Sequence, residues 1–370
     1  YGWGGSYDGF YKGGVCVLFN ISPSIVIGIR PTNVIQKEIG YYKFELRPDS
    51  TAEIVNYTGG GMGVENGVME IPSTVENDGI TYRVNRIRQQ AFYRKGSIKK
   101  LIVGDNIEVI EPISFFYTRI DTLVLGDGIK AVPDEAFAYT EIRHLTIGKN
   151  IQRIGKKAFF LCYLNQGIVS NSPAFEVDDE AFANTRPKIG AWLNNITSLG
   201  KKAFSGANFG DRVHQYFTNL EVIGDSAFYG ANFGTTTPSF RIYSKVREIV
   251  PSAFDGWNPV STMTVEEDNP YFSVEDAIGR NIYNKSKTTL LISFRERPDG
   301  AYPSTLVKLA PRSMRPEREW NTIPATIVEM VGAYQDILEI SDPFKCLAVV
   351  PPIIPDDYFE GKINMKWAIL

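Results

Sequence analysis

Apolar residues recur along this chain with two periods, one nested inside the other. In the stretch "LVLGDGIKAV", Leu123 and Leu125 alternate with Thr122 and Val124, the two-residue period of a strand with one face inward. Gly126-Asp127-Gly128 then turns the chain. Ile129 and Val132, three apart, face inward again, and "PDEAF" predicts a tight helical or 3₁₀-like turn ending on a buried Phe137. The same phrase stands as "LIVGDNIEVI" at Leu101 and "LTIGKNIQRI" at Leu145, with its apolar letters held and its polar letters changed.

The longer period is marked by an anchor: an apolar residue, three variable residues, then Ala-Phe or Ser-Phe. Its aromatics are Phe92, Phe115, Phe137, Phe159, Phe182, Phe204, Phe228 and Phe254, spaced 23, 22, 22, 23, 22, 24 and 26 residues apart. One circuit of roughly 22 residues supplies a short strand, a turn and a compact return. No single circuit can bury its own apolar side, but stacked circuits can. The pattern therefore predicts an α/β repeat solenoid with short parallel strands, irregular or 3₁₀/short-helical returns, and an internal column of Leu, Ile and Phe. Between Phe204 and Phe254 the circuits lengthen around "AFSGANFG" at Ala203 and "AFYGANFG" at Ala227, which predicts loops bulging from one side.

"IGKKAFFLCYL", from Ile154 to Leu164 with Cys162 at its ninth position, resembles the BspA-like (Treponema pallidum-type) leucine-rich repeat of bacterial surface proteins. "MEIPSTVENDGITYRVNRI" at Met69 resembles the strand pair that leads into the first repeat in that family. "NPYFSVEDAIGRNIYNKSKTTLLISF" at Asn269 resembles its hairpin insertion, which accounts for the distance from Phe254 to the next anchor position, Met314. "CLAVVPPIIPDDYFEG" at Cys346 resembles a closing unit that includes Phe359, with "WAIL" as the last strand. The resemblance implies a right-handed leucine-rich repeat coil with a β-rich N-terminal cap and a β-hairpin insertion. The expected organisation is an unassigned Gly- and aromatic-rich segment at 1–40, the cap at 41–86, repeats at 87–265, the hairpin at 266–300, and C-terminal repeats with the closing unit at 301–370.

At 370 residues the chain exceeds the usual single-core domain, a limit that stacked circuits escape. Its 43% hydrophobic and 22% charged residues are those of a folded chain. A net charge of −3 offers no field for nucleic acid or an anionic membrane. Three cysteines make no disulfide framework. The apolar run from Val15 to Ile29 contains Asn20 and Pro23 and is too short to span a bilayer. The start at Tyr1, without Met or leader, is that expected of a trimmed form, with any membrane anchor expected outside this chain.

Candidate chemistry is sparse. The two histidines, His144 and His214, fall about three circuits apart, too far to share a zinc ion. Cys162 and Cys346 occupy internal repeat positions and read as buried thiols, while Cys16 has no place in the pattern. "TGGGMG" at Thr58 lacks the Lys-Ser/Thr of a phosphate loop and reads as a hairpin turn. Glu266, Glu267, Asp268, Glu275 and Asp276 lack calcium-loop spacing and read as a solvated hairpin surface. "FRERPDG" at Phe294 and "MRPERE" at Met314 mix signs and read as ion-paired surface. No enzyme, cofactor or metal site is expected.

What remains is the outward face of the strands. Its columns are Lys100/Thr122/His144 and Ile102/Val124/Thr146, continuing towards Arg241 and Tyr243, and they form the candidate binding surface. Outward β-branched residues also simply suit strands, the plainer reading. The family resemblance implies an exported, surface-associated protein that adheres to a protein ligand, host extracellular matrix or another bacterium. A second hypothesis is glycan capture on Trp192, Tyr243 or Trp257, supported if the rings share one face and excluded by their burial. A third places a catalytic part in residues 1–40, too short a segment to fold as one alone.

Overall fold

Successive copies of the 22-residue phrase pair side by side in parallel, so the chain closes as a coil. The computed structural model describes residues 33–59, 67–210, 213–234, 239–256, 262–274, 281–293, 302–310, 313 and 329–330. The expectations for Cys16, Met314, Cys346, Phe359 and the "WAIL" strand lie outside these residues, as do those for "FRERPDG", "MRPERE" and residues 1–32.

The cap comprises β1 (Ile35–Ile39), β2 (Tyr42–Leu46), β3 (Thr51–Tyr57), β4 (Val68–Glu70), β5 (Thr74–Asn77) and β6 (Ile80–Ile87). Five of these form a sheet in the order β1-β2-β3-β6-β5, while β4 joins the coil. From Ile98 a longer strand alternates with a shorter one. They are β7 (Ile98–Val103), β8 (Val109–Ile110), β9 (Ile120–Leu125), β10 (Ala131–Val132), β11 (His144–Ile147), β12 (Arg153–Ile154), β13 (Gly167–Ser170) and β14 (Phe175–Val177). The longer strands make one parallel sheet, β13-β11-β9-β7-β4.

Of the shorter strands, β8 pairs with β6 of the cap, while β10, β12 and β14 make a second parallel sheet that continues through β15 (Ile196–Leu199), β16 (Val222–Ile223) and, in chain order after β17 (Ser239–Ile242), β18 (Glu248–Ile249). β17 pairs only with β19 (Thr262–Val265). Two circuits carry a 3₁₀ helix where the longer strand would stand, at Ala191–Asn195 and Val213–Gln215. The first sheet therefore stops at β13.

Beyond the coil, β20 (Phe272–Val274), β21 (Asn281–Asn284) and β22 (Thr289–Ser293) are antiparallel neighbours. β22 then runs parallel to β23 (Lys308–Leu309), and β23 to β24 (Glu329–Met330), which returns the chain to the coil's geometry. Asn269 holds the entry to β20. Its side-chain amide donates to the Tyr243 and Val246 carbonyls, and its oxygen accepts from Tyr271 and Phe272 N–H.

The interior matches the periodicity. Leu123, Leu125, Ile129, Val132 and Phe137 are all buried, while Thr122 and Val124 are half-buried on the outer side. The anchor phenylalanines form one stack from Phe92 to Phe254, with centroid spacings of 4.6, 5.0, 5.5, 5.3, 5.2, 6.0 and 5.4 Å and interplanar angles of 8–15°. Tyr57 continues the stack into the cap, 5.4 Å from Phe92.

Among the described residues there is no α-helix, so the returns are of the irregular and 3₁₀ kind. They are held between circuits: Phe115 N–H donates to Ala136 O (2.9 Å), Phe137 to Ala158 O (3.0 Å), and Phe159 to Ala181 O (2.9 Å). Two residues before and after each anchor from Phe92 to Phe228 the backbone turns left-handed, as at Glu135 (φ 54°) and Tyr139 (φ 58°) around Phe137. That conformation normally costs about 1–2 kcal/mol in a non-glycine residue. Here it aims alternate N–H groups at the next circuit, where they are satisfied.

Two expectations change in detail. The corner glycine Gly126 has no left-handed φ; a Cβ there would stand 2.6 Å from the Val103 carbonyl of the preceding circuit. Close approach, not backbone freedom, requires glycine at that corner. The lengthened circuits also do more than bulge. Phe209 and Phe233 of the duplicated "ANFG" turn inward and stack at 5.4 Å, forming a second, shorter ring pair beside the main column.

Candidate functional site

The outward columns are in register as the sequence places them. Lys100 lies opposite Thr122 and Thr122 opposite His144; Ile102 lies opposite Val124 and Val124 opposite Thr146. The structure extends each column by one rung at either end. The first becomes Val68-Lys100-Thr122-His144-Gly167, and the second Glu70-Ile102-Val124-Thr146-Val169. Lys100, Ile102, Thr122, Val124, His144 and Thr146 are all half-buried, while Val68 and Val169 at the two edges are exposed. This five-stranded face mixes β-branched side chains with one cation and one carboxylate, which suits a flat, mixed contact rather than a cleft.

Arg241 and Tyr243 do not join it. They belong to the β17–β19 sheet and to the residue after β17, beyond the two circuits that lack a long strand. The Arg241 guanidinium lies 5.5 Å from the Tyr243 ring centre and 3.9 Å from Glu266. These two residues are thus engaged with each other and with the next circuit.

The candidates for chemistry are placed as follows. Cys162 is fully buried and its Sγ–H donates to Phe137 O at 3.0 Å, where Thr140 Oγ1 donates to Phe115 O in the preceding circuit. Burial pushes its thiol from 9 up to about 12, so it is not poised as a nucleophile. His144 stands on β11, and His214 on the 3₁₀ helix three circuits further along. Among the described residues no three His, Cys, Asp or Glu side chains converge as metal ligands. Glu266 accepts from Ser244 N–H at 2.9 Å, holding a turn, while Glu275 and Asp276 lie outside the described residues. Of the "TGGGMG" run only Thr58 and Gly59 are described. No helix among the described residues is long and apolar enough to cross a membrane.

Of the rings proposed for glycan capture, Trp192 and Tyr243 lie among the described residues. Trp192 is 2% exposed and packs beside Phe182 at 5.5 Å, with its indole N–H donated to Lys188 O. Its burial excludes it as a sugar platform. Tyr243 is half-buried, and Trp257 lies outside the described residues.

A surface that the sequence reading passed over lies on the returns, directly after the buried anchors. Tyr93, Phe116, Tyr117, Tyr139 and Phe160 form a continuous aromatic ridge. Tyr93 to Phe116 is 5.9 Å, Phe116 to Tyr139 5.2 Å, Tyr117 to Tyr139 5.9 Å and Tyr139 to Phe160 5.5 Å. The ridge ends where Ala183-Asn184 and Ser205-Gly206 occupy the same two positions. The signal was present in the letters after each anchor, "YR", "FY", "AY" and "FL" giving way to "AN" and "SG".

The band just before the anchors is self-neutralising. Arg153 pairs with Asp178, Lys157 with Glu180 at 3.7 Å, and Lys201 with Asp225 at 3.1 Å. Acidic and basic circuits alternate there, so that band presents paired charges rather than a field of one sign.

A family model for the BspA type leucine rich repeat region matches in 6 copies, over residues 85–210 and 175–286, together more than half of the chain. No curated protein matches. Among solved structures, a leucine rich cell surface protein of Faecalibacterium prausnitzii is 19% identical over 80% of this chain and 76% of that one, with a TM-score of 0.44. The pneumococcal vaccine antigen PcpA is 15% identical over 77% of this chain and 62% of that one, with a TM-score of 0.38. A leucine-rich repeat protein of T. pallidum is 16% identical over 46% and 89%, with a TM-score of 0.31.

Proposed function

This chain belongs to the BspA-type leucine-rich repeat family, and on that premise we propose that it is a non-catalytic recognition protein of the bacterial surface. It binds a protein ligand, from host extracellular matrix or from another bacterium, through the outward face of β4, β7, β9, β11 and β13. The match to the BspA-type family supports surface placement. The observation that carries the binding face is the separation of tasks within each strand. Leu101, Leu123 and Leu145 are held and buried, while the positions on either side vary and face out. A surface free of packing duty, flat and continuous over five strands, is the kind that repeat proteins use for recognition.

The experiment is a binding panel of immobilised matrix proteins and whole bacterial cells, with the full chain and its Val124→Arg variant. Val124 lies at the middle rung, between Ile102 and Thr146. At least one protein or cell surface is expected to bind, with affinity falling about tenfold or more in the variant. Failure to bind any protein, or binding indifferent to Val124→Arg, refutes this reading.

A further inference from the structure

The aromatic ridge on the returns is a different surface from the strand face. We propose that it is a second docking site, for a protein segment that presents a carboxylate beside an apolar side chain. The carboxylate is received by Arg94, and the apolar group rests along Tyr117 and Tyr139.

Arg94 carries the assignment. Its guanidinium lies 5.2 Å from the centre of the Tyr93 ring and 5.5 Å from that of Tyr117. A guanidinium laid on aromatic faces keeps its N–H edge available for a bidentate carboxylate. Among the described residues, every arginine except Arg94 and Arg186 has a carboxylate oxygen within 4.0 Å. Arg94 is exposed, pre-positioned by two rings, and without a carboxylate partner among the described residues.

The rings decide between a protein and a glycan. A sugar packs its C–H face on an open aromatic face. Here the faces are taken: Tyr117 and Tyr139 stack on each other at 5.9 Å and 23°, and Arg94 lies over Tyr93 and Tyr117. Tyr117 is 55% exposed and Tyr139 43% exposed. Exposed tyrosines beside an arginine have the composition of protein-binding hot spots. The ridge runs over three circuit steps of ~5 Å, the reach of about four to five residues of extended chain.

The test uses the full chain on an array of short peptides in which Asp or Glu lies near Phe, Tyr or Leu. The same peptides with Lys in place of the acidic residue serve as controls, as do sulfated and neutral oligosaccharides. A subset of the acidic peptides is expected to bind and their Lys counterparts not. Arg94→Ala and Tyr117→Ala should each weaken binding about tenfold or more, with Arg94→Lys recovering only part because it loses the planar fork. Unchanged thermal unfolding of these variants separates lost contact from lost fold. Val124→Arg, on the strand face, should bind these peptides as the parent does, so failure here and failure of the strand-face reading are distinguishable. Absence of peptide binding, equal binding of the Lys peptides, indifference to Arg94→Ala, or preference for a sulfated glycan overturns the proposal.

Discussion

Replacing Phe159 by alanine is expected to lower the free energy of unfolding by about 3–5 kcal/mol, the range for emptying a large buried aromatic site. Phe159 is fully buried and lies between Phe137 at 5.5 Å and Phe182 at 5.3 Å, so both neighbours lose a stacking partner. The surrounding backbone has little room to collapse. Phe159 N–H donates to Ala181 O, and Phe137 N–H donates to Ala158 O, fixing the spacing of three successive circuits. Because each circuit contacts only its neighbours, the loss is felt locally and weakens the coupling between the two halves of the coil. Denaturant unfolding should show a lowered midpoint, and hydrogen exchange should show the largest loss of protection at circuits 137–182. Phe159→Leu, which keeps most of the volume, should cost distinctly less.

The second large effect is expected in the cap. Glu53, with a side chain 5% exposed, receives three guanidinium groups: Arg47 at 2.9 Å, Arg86 at 3.0 Å and Arg88 at 2.8 Å. Hydrogen bonding to Glu53 is also the main reason the Arg88 pKa is raised. Removing the shared carboxylate leaves the three arginines with only the more distant Glu45 and Glu111, at 3.4–3.6 Å. Breaking a buried ion cluster from one side costs about 3–5 kcal/mol. The three arginines are each about one-third exposed, so water and the two remaining carboxylates relieve part of the charge, and about 2–3 kcal/mol is expected for Glu53→Ala. The comparison is Arg119→Ala, which breaks the exposed pair to Glu141 at 2.9 Å and should cost less than about 1 kcal/mol. Urea denaturation of the two variants measures the contrast directly.

Much of this fold was legible because burial is periodic. The two-residue alternation in "LVLGD" and the recurrence of Ala-Phe every 22 or so residues report which side chains must leave water, and stacking is the way repeated circuits do so. The left-handed returns were not legible. Tyr117, Tyr139 and Ile113 adopt positive φ without being glycine, because hydrogen bonds to the next circuit compensate locally unfavourable backbone. No local pattern of residues announces that. The interruption of the strand sheet was hidden for a related reason: "AWLNN" closes a 3₁₀ turn that buries Trp192, and its aromatic content alone suggested a surface ring.

For the candidate surface, the rungs Lys100/Thr122/His144 and Ile102/Val124/Thr146 followed directly from strand alternation. The ridge did not, because the anchor Phe accounts for one ring per circuit and draws the eye from the ring beside it. Tyr93, Phe116 and Tyr139 are visible only once the returns are seen to stack as closely as the strands do.

Within a strand, held letters build the coil and changing letters face out. Leu123 and Val124 are adjacent on β9 and lie on opposite faces, the first fully buried and the second half-buried outward. The most direct test is the denaturant-unfolding free energy of Leu123→Ala against that of Val124→Ala. The expected loss is about 2–5 kcal/mol for Leu123→Ala and within about 0.5–1 kcal/mol for Val124→Ala. Losses of equal size would contradict this, since Val124 would then be part of the scaffold and its face would not be free to bind.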